Sequence, residues 1–268
     1  MSVNEKMTAI ADNIREKTGG TEMLTLDEVA SGVNEVYEAG KRKEWSDFWD
    51  VFQNYGARRN YENAFHKGMS SDPSRWNDIN FKPKYDLKPR NSAKSMFFGC
   101  LFTDFKGVFE RQGVVFDTSS VTNCDGMFES CTVLTRLPVL DFSNCKRIYT
   151  VFQFCNSLIS IDKLIIGNSS HDTLFSCFNA CYALQDVQIE GTIDINFSFK
   201  YSKNLSVESQ KSAITHLKDY SGTDSEYTYT ITFKATAFEK LEAEGNTSPN
   251  GNTWTEYIDD LKWNLTLA

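Results

Sequence analysis

The sequence lacks a basic balance, a long apolar run and any tight cluster of metal-binding side chains. Its 28 Lys and Arg are outnumbered by 36 Asp and Glu, a formal net charge of -8. That balance argues against nucleic acid or an anionic membrane surface as the principal partner, because both require a basic footprint. One stretch runs the other way, FKPKYDLKPRNSAK from Phe81 to Lys94. Its cations alternate with Pro and Tyr, which reads as a solvated connector rather than an anion-binding strip. No run is long enough to cross a bilayer, so no membrane insertion is expected. The N-terminus carries Glu5, Lys6, Asp12, Arg15, Glu16 and Lys17 without a continuous apolar stretch, so no signal peptide is expected. Folding in a cytoplasm follows, and with it the expectation that the seven cysteines do not form a disulfide framework. Metal is disfavoured too. There is no CxxC pair, Cys177 and Cys181 are four apart, Cys124 lies near Cys131, and the three histidines, His66, His171 and His216, do not gather near the thiols. No metal and no cofactor are expected.

Local grammar is clear at the N-terminus. Ser2 and Glu5 form a capping box, Met7, Ile10, Ala11 and Ile14 share a helical face, and Gly19 and Gly20 stop the helix. Thr25 and Glu28 repeat the box, with Leu24 stapling onto Val29. From Leu26 the helical pattern runs to about Asn54, a rod of roughly 45 Å. Its apolar seam has two parts, Val29, Val33, Val36 and then Trp45, Phe48, Phe52, Tyr55, with the polar AGKRK between them. That gap breaks a heptad and disfavours one long coiled coil. The two surfaces either pack on the chain's own body or serve oligomerisation and docking.

The middle of the chain repeats a phrase. DTSSVTNCDGMFESC (Asp117 to Cys131), DFSNCKRIYTVFQFC (Asp141 to Cys155) and GNSSHDTLFSCFNAC (Gly167 to Cys181) align on their last cysteine, and DLKPRNSAKSMFFGC (Asp86 to Cys100) fits the same frame. The cysteines are 31, 24 and 26 residues apart, the period of a solenoid. Columns follow from the alignment: Phe97, Phe128, Phe152, Phe178 and Phe199; Cys100, Cys131, Cys155 and Cys181; Leu134, Leu158, Leu184 and Leu205; Leu137, Ile161 and Val187. Each column is read as a ladder through one continuous core, the cysteine as packing, and Ser202 as its substitute in a less buried last copy. Asp86, Asp117 and Asp141 share another column that Gly167 continues. A residue recurring with the repeat is read as a turn residue before a glycan-hydrolysing carboxylate. No nucleophile triad or phosphate loop is present, so an enzyme is not expected.

After the repeats, Ser206 caps a helix ahead of Gly222, EYTYTITF (Glu226 to Phe233) alternates like a strand, TAFEKLEAEG reads as a helix, NTSPNGNT as a loop, and WTEYIDDLKWNLTLA as a helix and final strand. The expected fold is therefore α/β, a leucine-rich-repeat solenoid with N-terminal α-helices and a small mixed α/β C-terminal cap. Residues 1–56 form the helical attachment or oligomerisation region, 57–85 a connector, 86–205 the solenoid and 206–268 the cap.

FESCTVLTRL, FQFCNSLISI and FNACYALQDV resemble the BspA-type leucine-rich repeat. MTAIADNIREKTGGTEMLTLDEV, VYEAGKRKEWSDFWDVFQNYG, FKPKYDLKP and WNLTLA are similar to leucine-rich-repeat proteins of phages and prophages of low-GC Gram-positive gut bacteria, tail- and baseplate-associated ones among them. The resemblance implies a non-enzymatic structural or binding protein of a tail tip or baseplate, located in the virion tail. Its partners would be other tail proteins and a host-surface protein or glycan, in a homo-oligomer for which a trimer is the first expectation. A bacterial surface adhesin, an intracellular phage effector and a polysaccharide-degrading tail enzyme are the other readings. Tyr149, Phe154 and Tyr182 lie outside the ladders and are either ligand contacts or packing between coils.

Overall fold

The computed structural model describes residues 86–167, 177–224 and 229–268. The expected N-terminal helices, the connector and the seam of Val29, Val33, Val36, Trp45, Phe48 and Phe52 lie outside the described residues.

Three strands, β1 (Arg136–Phe142), β2 (Ser160–Ile166) and β3 (Asp186–Gly191), form one parallel sheet in the order β1-β2-β3. Leu137 pairs with Ile161 and Leu140 with Leu164, while Ile161 pairs with Val187 and Leu164 with Ile189. All of these side chains are buried, so the columns point into the core. A second parallel sheet joins β4 (Phe197–Phe199), β5 (Tyr229–Phe233) and β6 (Trp263–Leu267) in that order. Its crossovers are helical: α2 (Val207–Thr215) lies between β4 and β5, and α3 (Ala235–Glu242) and α4 (Trp254–Asp260) lie between β5 and β6. Parallel neighbours require such crossovers.

The expected single leucine-rich-repeat solenoid with a mixed cap is therefore corrected. The described strands divide between two small parallel sheets and close into no solenoid. The physical reason lies at the edge of β3, where a helix takes the place of the next strand. Val187 donates its N–H to the Ser209 hydroxyl at 2.9 Å and Ile189 donates to the Ser212 hydroxyl at 2.8 Å, both from α2. The two hydroxyls donate in turn to the Gln185 and Ile189 carbonyls. Covering an edge with a helix removes a template for further pairing, and these serines give the edge polar partners that a helix backbone cannot. The C-terminal segment is not a mixed cap either, because β4 comes from the last repeat copy and heads the second parallel sheet.

A first helix, α1 (Phe105–Gln112), stands where the first repeat was expected to continue toward a strand. Asp104 caps it by accepting from the Gly107 N–H, and Gly113 at φ 64 ends it in the left-handed region. A Cβ at Gly107 would sit 2.1 Å from the Asp104 carboxylate, so a larger residue there would displace the capping side chain. Phe105 and Phe109, one turn apart, pack against Phe97, Phe102 and Phe116. This insertion accounts for the longest of the cysteine spacings.

One ladder runs through both sheets. Phe97, Phe128, Phe152, Phe178, Phe199 and Phe233 stack in succession with centroids 5.0 to 6.2 Å apart and ring planes within 24° of parallel. Phe233 belongs to β5 and pairs in register with Phe199. The two sheets therefore share a single core.

Candidate binding surface

The surface is built by the turns that carry the Phe and Cys columns. Three of the described turns have two left-handed residues each, and a fourth has its closing one. Ser95, Gly126 and Thr150 (φ 51 to 60) open the turns, and Gly99, Ser130, Phe154 and Ala180 (φ 61 to 68) close them, one residue before the cysteine. Turns stack through backbone hydrogen bonds: Phe97 donates to the Met127 carbonyl, Phe128 to Val151, Ser130 to Gln153 and Phe154 to Asn179, at 2.8 to 2.9 Å. The backbone of this edge is thus consumed between tiers.

The cysteine column is packing with a polar function added. Cys131 donates its S–H to the Phe97 carbonyl, Cys155 to Phe128 and Cys181 to Phe152, at 3.0 to 3.1 Å. Burial pushes the Cys100, Cys155, Cys177 and Cys181 thiols well above their ordinary range, which keeps them protonated donors and poor nucleophiles or ligands. Ser202 is not the less buried substitute expected of a last copy. It is fully buried, and its hydroxyl donates to the Cys181 carbonyl at 3.1 Å. The other expected core residues, among them Leu134, Leu158, Leu184 and Leu205, are all buried.

Two further readings are corrected. Cys124 and Cys145 form a disulfide across a separation of 21 residues, where no disulfide was expected. The column of acids also breaks up. Leu87 bridges to Phe116, which sets Asp86 beside Val115, whose N–H it accepts at 2.8 Å, and not beside Asp117. Asp141 pairs with Ile165, and Gly167 instead packs on the Ser143 backbone so closely that a Cβ would be 1.9 Å from its carbonyl oxygen. Asp117 and Asp141 each accept the N–H two residues on, from Ser119 and Ser143, as turn residues do. The Ser119 hydroxyl and N–H hold the Asp117 carboxyl below its ordinary pKa. Among the described residues no group of three His, Cys, Asp or Glu is placed to hold a metal ion.

Tyr149, Phe154 and Tyr182 are 46%, 45% and 51% exposed, so none is packed between tiers. They are not one surface. Tyr149 sits at the start of its turn, its N–H donated to the Asp125 carboxylate at 2.9 Å. Phe154 closes the same turn, in the slot that Ala180 and Tyr201 occupy in the next two tiers. Tyr182 packs edge-on against Tyr201 with centroids 5.6 Å apart, and the Lys200 ammonium lies 4.8 Å from the Tyr201 ring centre. The structure thus joins Tyr182 with Tyr201, a half-buried residue in the position before Ser202, while Phe154 shares with Tyr201 only the sequence position in its tier. Exposed Val133 and Ile159 lie on the same connecting edge.

The outer strand face is different in kind. Asp104 meets Arg136 through both carboxylate oxygens, Lys163 meets Glu190, and Lys106 meets Asp162 and Glu110. Asp104–Arg136 and Lys163–Glu190 pair across neighbouring tiers and Lys106–Glu110 lies within α1, with apolar Val139 the exception on that face.

No family model matches the chain, and no curated protein or solved structure matches it.

Proposed function

We propose that the protein is a non-enzymatic structural and binding component of a phage tail tip or baseplate, presenting its turn edge to a host-surface protein or glycan. The observation that carries the binding part is Phe154. A bulky residue at φ 62 costs about 1–2 kcal/mol in backbone strain, and an exposed ring returns little of it through burial. Serine and alanine carry the same Cβ in this slot at φ 61 to 62 and bear the same backbone cost, which the turn imposes tier after tier. What sets Phe154 apart is a large apolar ring left 45% exposed there, the kind of side chain that contact sites use.

The tail assignment rests on the sequence likeness of the N-terminal segments and of the ending WNLTLA. The Cys124–Cys145 disulfide adds support for a protein that works outside a reducing cytoplasm, and so favours a virion component or surface adhesin over an intracellular effector. The test uses the full chain. Labelled protein is incubated with low-GC Gram-positive gut bacteria and adsorption read by cytometry, while induced phage particles are purified and probed for the protein by mass spectrometry. Adsorption together with presence in particles is expected. A protein absent from particles that adsorbs to no strain would sink the reading.

A further inference from the structure

We propose that the Phe154, Tyr182 and Tyr201 platform binds an acidic polysaccharide built of pyranose rings, an assignment that rests on the host-surface reading above. Three features of the platform converge on that class.

The first is charge. The turn-to-strand edge of the three tiers concerned, residues 153–159, 179–185 and 200–206, contains Lys200 and Lys203 and no Asp or Glu. The whole chain carries 36 acids and a net charge of -8, so this edge departs from the molecule around it. Lys203 is exposed, and Lys200 is held against the Tyr201 ring. A cation on the half-buried Tyr201 ring, next to the exposed Tyr182, selects an anionic ligand with an apolar face.

The second is the row. Phe154, Ala180 and Tyr201 occupy equivalent slots in consecutive tiers, so the two rings are two steps apart, about 9.6 Å at the usual strand spacing. Ala180 between them is small and only 5% exposed, so a ligand meets the row at its two ends, Phe154 and the Tyr182–Tyr201 pair. A polymer of repeating rings matches a surface that repeats along one axis. Asn156 and Asn179 lie on the same turns and bring amides, each a donor and acceptor together, as vicinal hydroxyls require.

The third excludes the acidic peptide, the other polymer with this charge. Extended peptides dock by adding a strand to free backbone groups. Here the Phe154 N–H is bound to the Asn179 carbonyl of the next tier, which closes the Phe154 end of the platform to strand addition.

Immobilised polygalacturonate and hyaluronate are the probes, with dextran (neutral), poly-L-glutamate (acidic peptide) and poly(glycerol phosphate) (anionic, without sugar rings) as comparisons, read against full-length protein by interferometry. Saturable binding to at least one uronate polymer is expected, with dextran, poly-L-glutamate and poly(glycerol phosphate) each at least roughly tenfold weaker. Phe154→Ser installs the residue that Ser130 supplies at the same φ in the preceding tier, so folding is retained. It and Tyr201→Ala should each weaken binding by roughly tenfold, and Tyr149→Ala should not. Lys203→Gln, at an exposed position, should flatten the salt dependence. Equal binding of poly-L-glutamate or poly(glycerol phosphate), binding indifferent to Phe154→Ser and Tyr201→Ala, or no uronate binding at all overturns the assignment. If the protein then still adsorbs to cells, only this ligand class falls. If adsorption is also absent, the host-surface reading falls with it.

Discussion

Replacing Ser209 by alanine tests whether α2 ends the first sheet by hydrogen bonding. Ser209 is fully buried, and its hydroxyl accepts from the Val187 N–H at 2.9 Å, donates to the Gln185 carbonyl at 3.3 Å and meets the Ser206 hydroxyl at 2.8 Å. Val187 is also fully buried, so no water replaces the lost oxygen and its N–H is left without a partner. A buried orphan donor costs about 1–3 kcal/mol, and the middle of that range lowers the melting temperature by about 4–8 °C. Ser212 makes the matching pair with Ile189 from a half-buried position, where water can enter, so Ser212→Ala should cost about 1 kcal/mol or less. Denaturant unfolding gives both free energies, and amide exchange locates the change. The Val187 amide should exchange at least roughly tenfold faster in Ser209→Ala. A Ser209→Ala loss below about 0.5 kcal/mol, the level of a neutral surface change, or a larger effect at Ser212, would refute the account of the sheet edge.

Phe152→Ala removes a fully buried ring stacked between Phe128 and Phe178 and should cost about 3–5 kcal/mol, whereas Phe154→Ser two residues on should stay within about 0.5 kcal/mol, both by urea titration. An equal cost would mean that Phe154 is not the surface ring described. Reduction of Cys124–Cys145 opens a loop with a separation of 21 residues and should lower stability by ~3 kcal/mol. Alkylation of the denatured, unreduced protein should label five cysteines, and labelling of all seven would rule the bridge out. Burial raises the Asp104 pKa, but the hydrogen bond from Arg136, the Gly107 N–H and the Arg136 and Arg111 charges outweigh it, and the net shift is downward from the ordinary 3.8. A carboxyl depressed in the fold adds stability above its unfolded pKa and loses it as pH falls through the folded value. Melting temperatures from pH 5 to pH 2 should therefore fall more steeply in the wild type than in Asp104→Asn, and parallel curves would contradict the pairing. Gly191 sits at φ 97 with a Cβ position 1.8 Å from the Ile166 carbonyl oxygen, so Gly191→Ala should cost about 2–4 kcal/mol by the same titration, and a neutral outcome would remove this close approach.

The Phe, Cys and Leu columns were legible because parallel stacking forces each tier to present the same residue to the same layer, and apolar identity survives in the letters. What ends the stack was not. Ser209 and Ser212 replace a strand by two hydroxyls, and no hydrophobic period records that substitution. The α1 helix did carry a signal, since Asp104 and Gly113 bracket FKGVFERQ with Phe residues one turn apart, but in the repeat frame these residues are only the spacing between Cys100 and Cys131. The disulfide joins residues of different columns in adjacent tiers, so an alignment that keeps columns apart hides it. Phe233 was missed because α2 and the residues around it separate it from Phe199 by more than one repeat length, although the two rings stack. Tyr201 had the position rule in its favour. The alignment already put Ser202 in the cysteine column, but its hydroxyl donates to the Cys181 carbonyl where the thiols donate to a Phe carbonyl, so the last turn departs from the others.

The division of labour between the two faces follows from what each can spare. On the strand face, side chains of neighbouring tiers project side by side, and complementary charges such as Lys163 with Glu190 pair there, with modest stability and little left to offer a ligand. On the turn edge the backbone bonds tier to tier, and the cysteine S–H groups beneath add a second set of bonds to the same layers. The left-handed residue before the cysteine is exposed at Phe154 and buried at Ala180, so the bonds that stack the turns do not fix what its side chain meets. That slot is glycine, serine, phenylalanine or alanine in the four left-handed turns from Gly99 to Ala180, while Phe97 to Phe199 stay the same; Tyr201, before Ser202, is not left-handed. A rigid support with a freely variable outward position is what a recognition surface requires, and among the described turns that position holds its aromatic residues where the surrounding edge carries lysine and no acid.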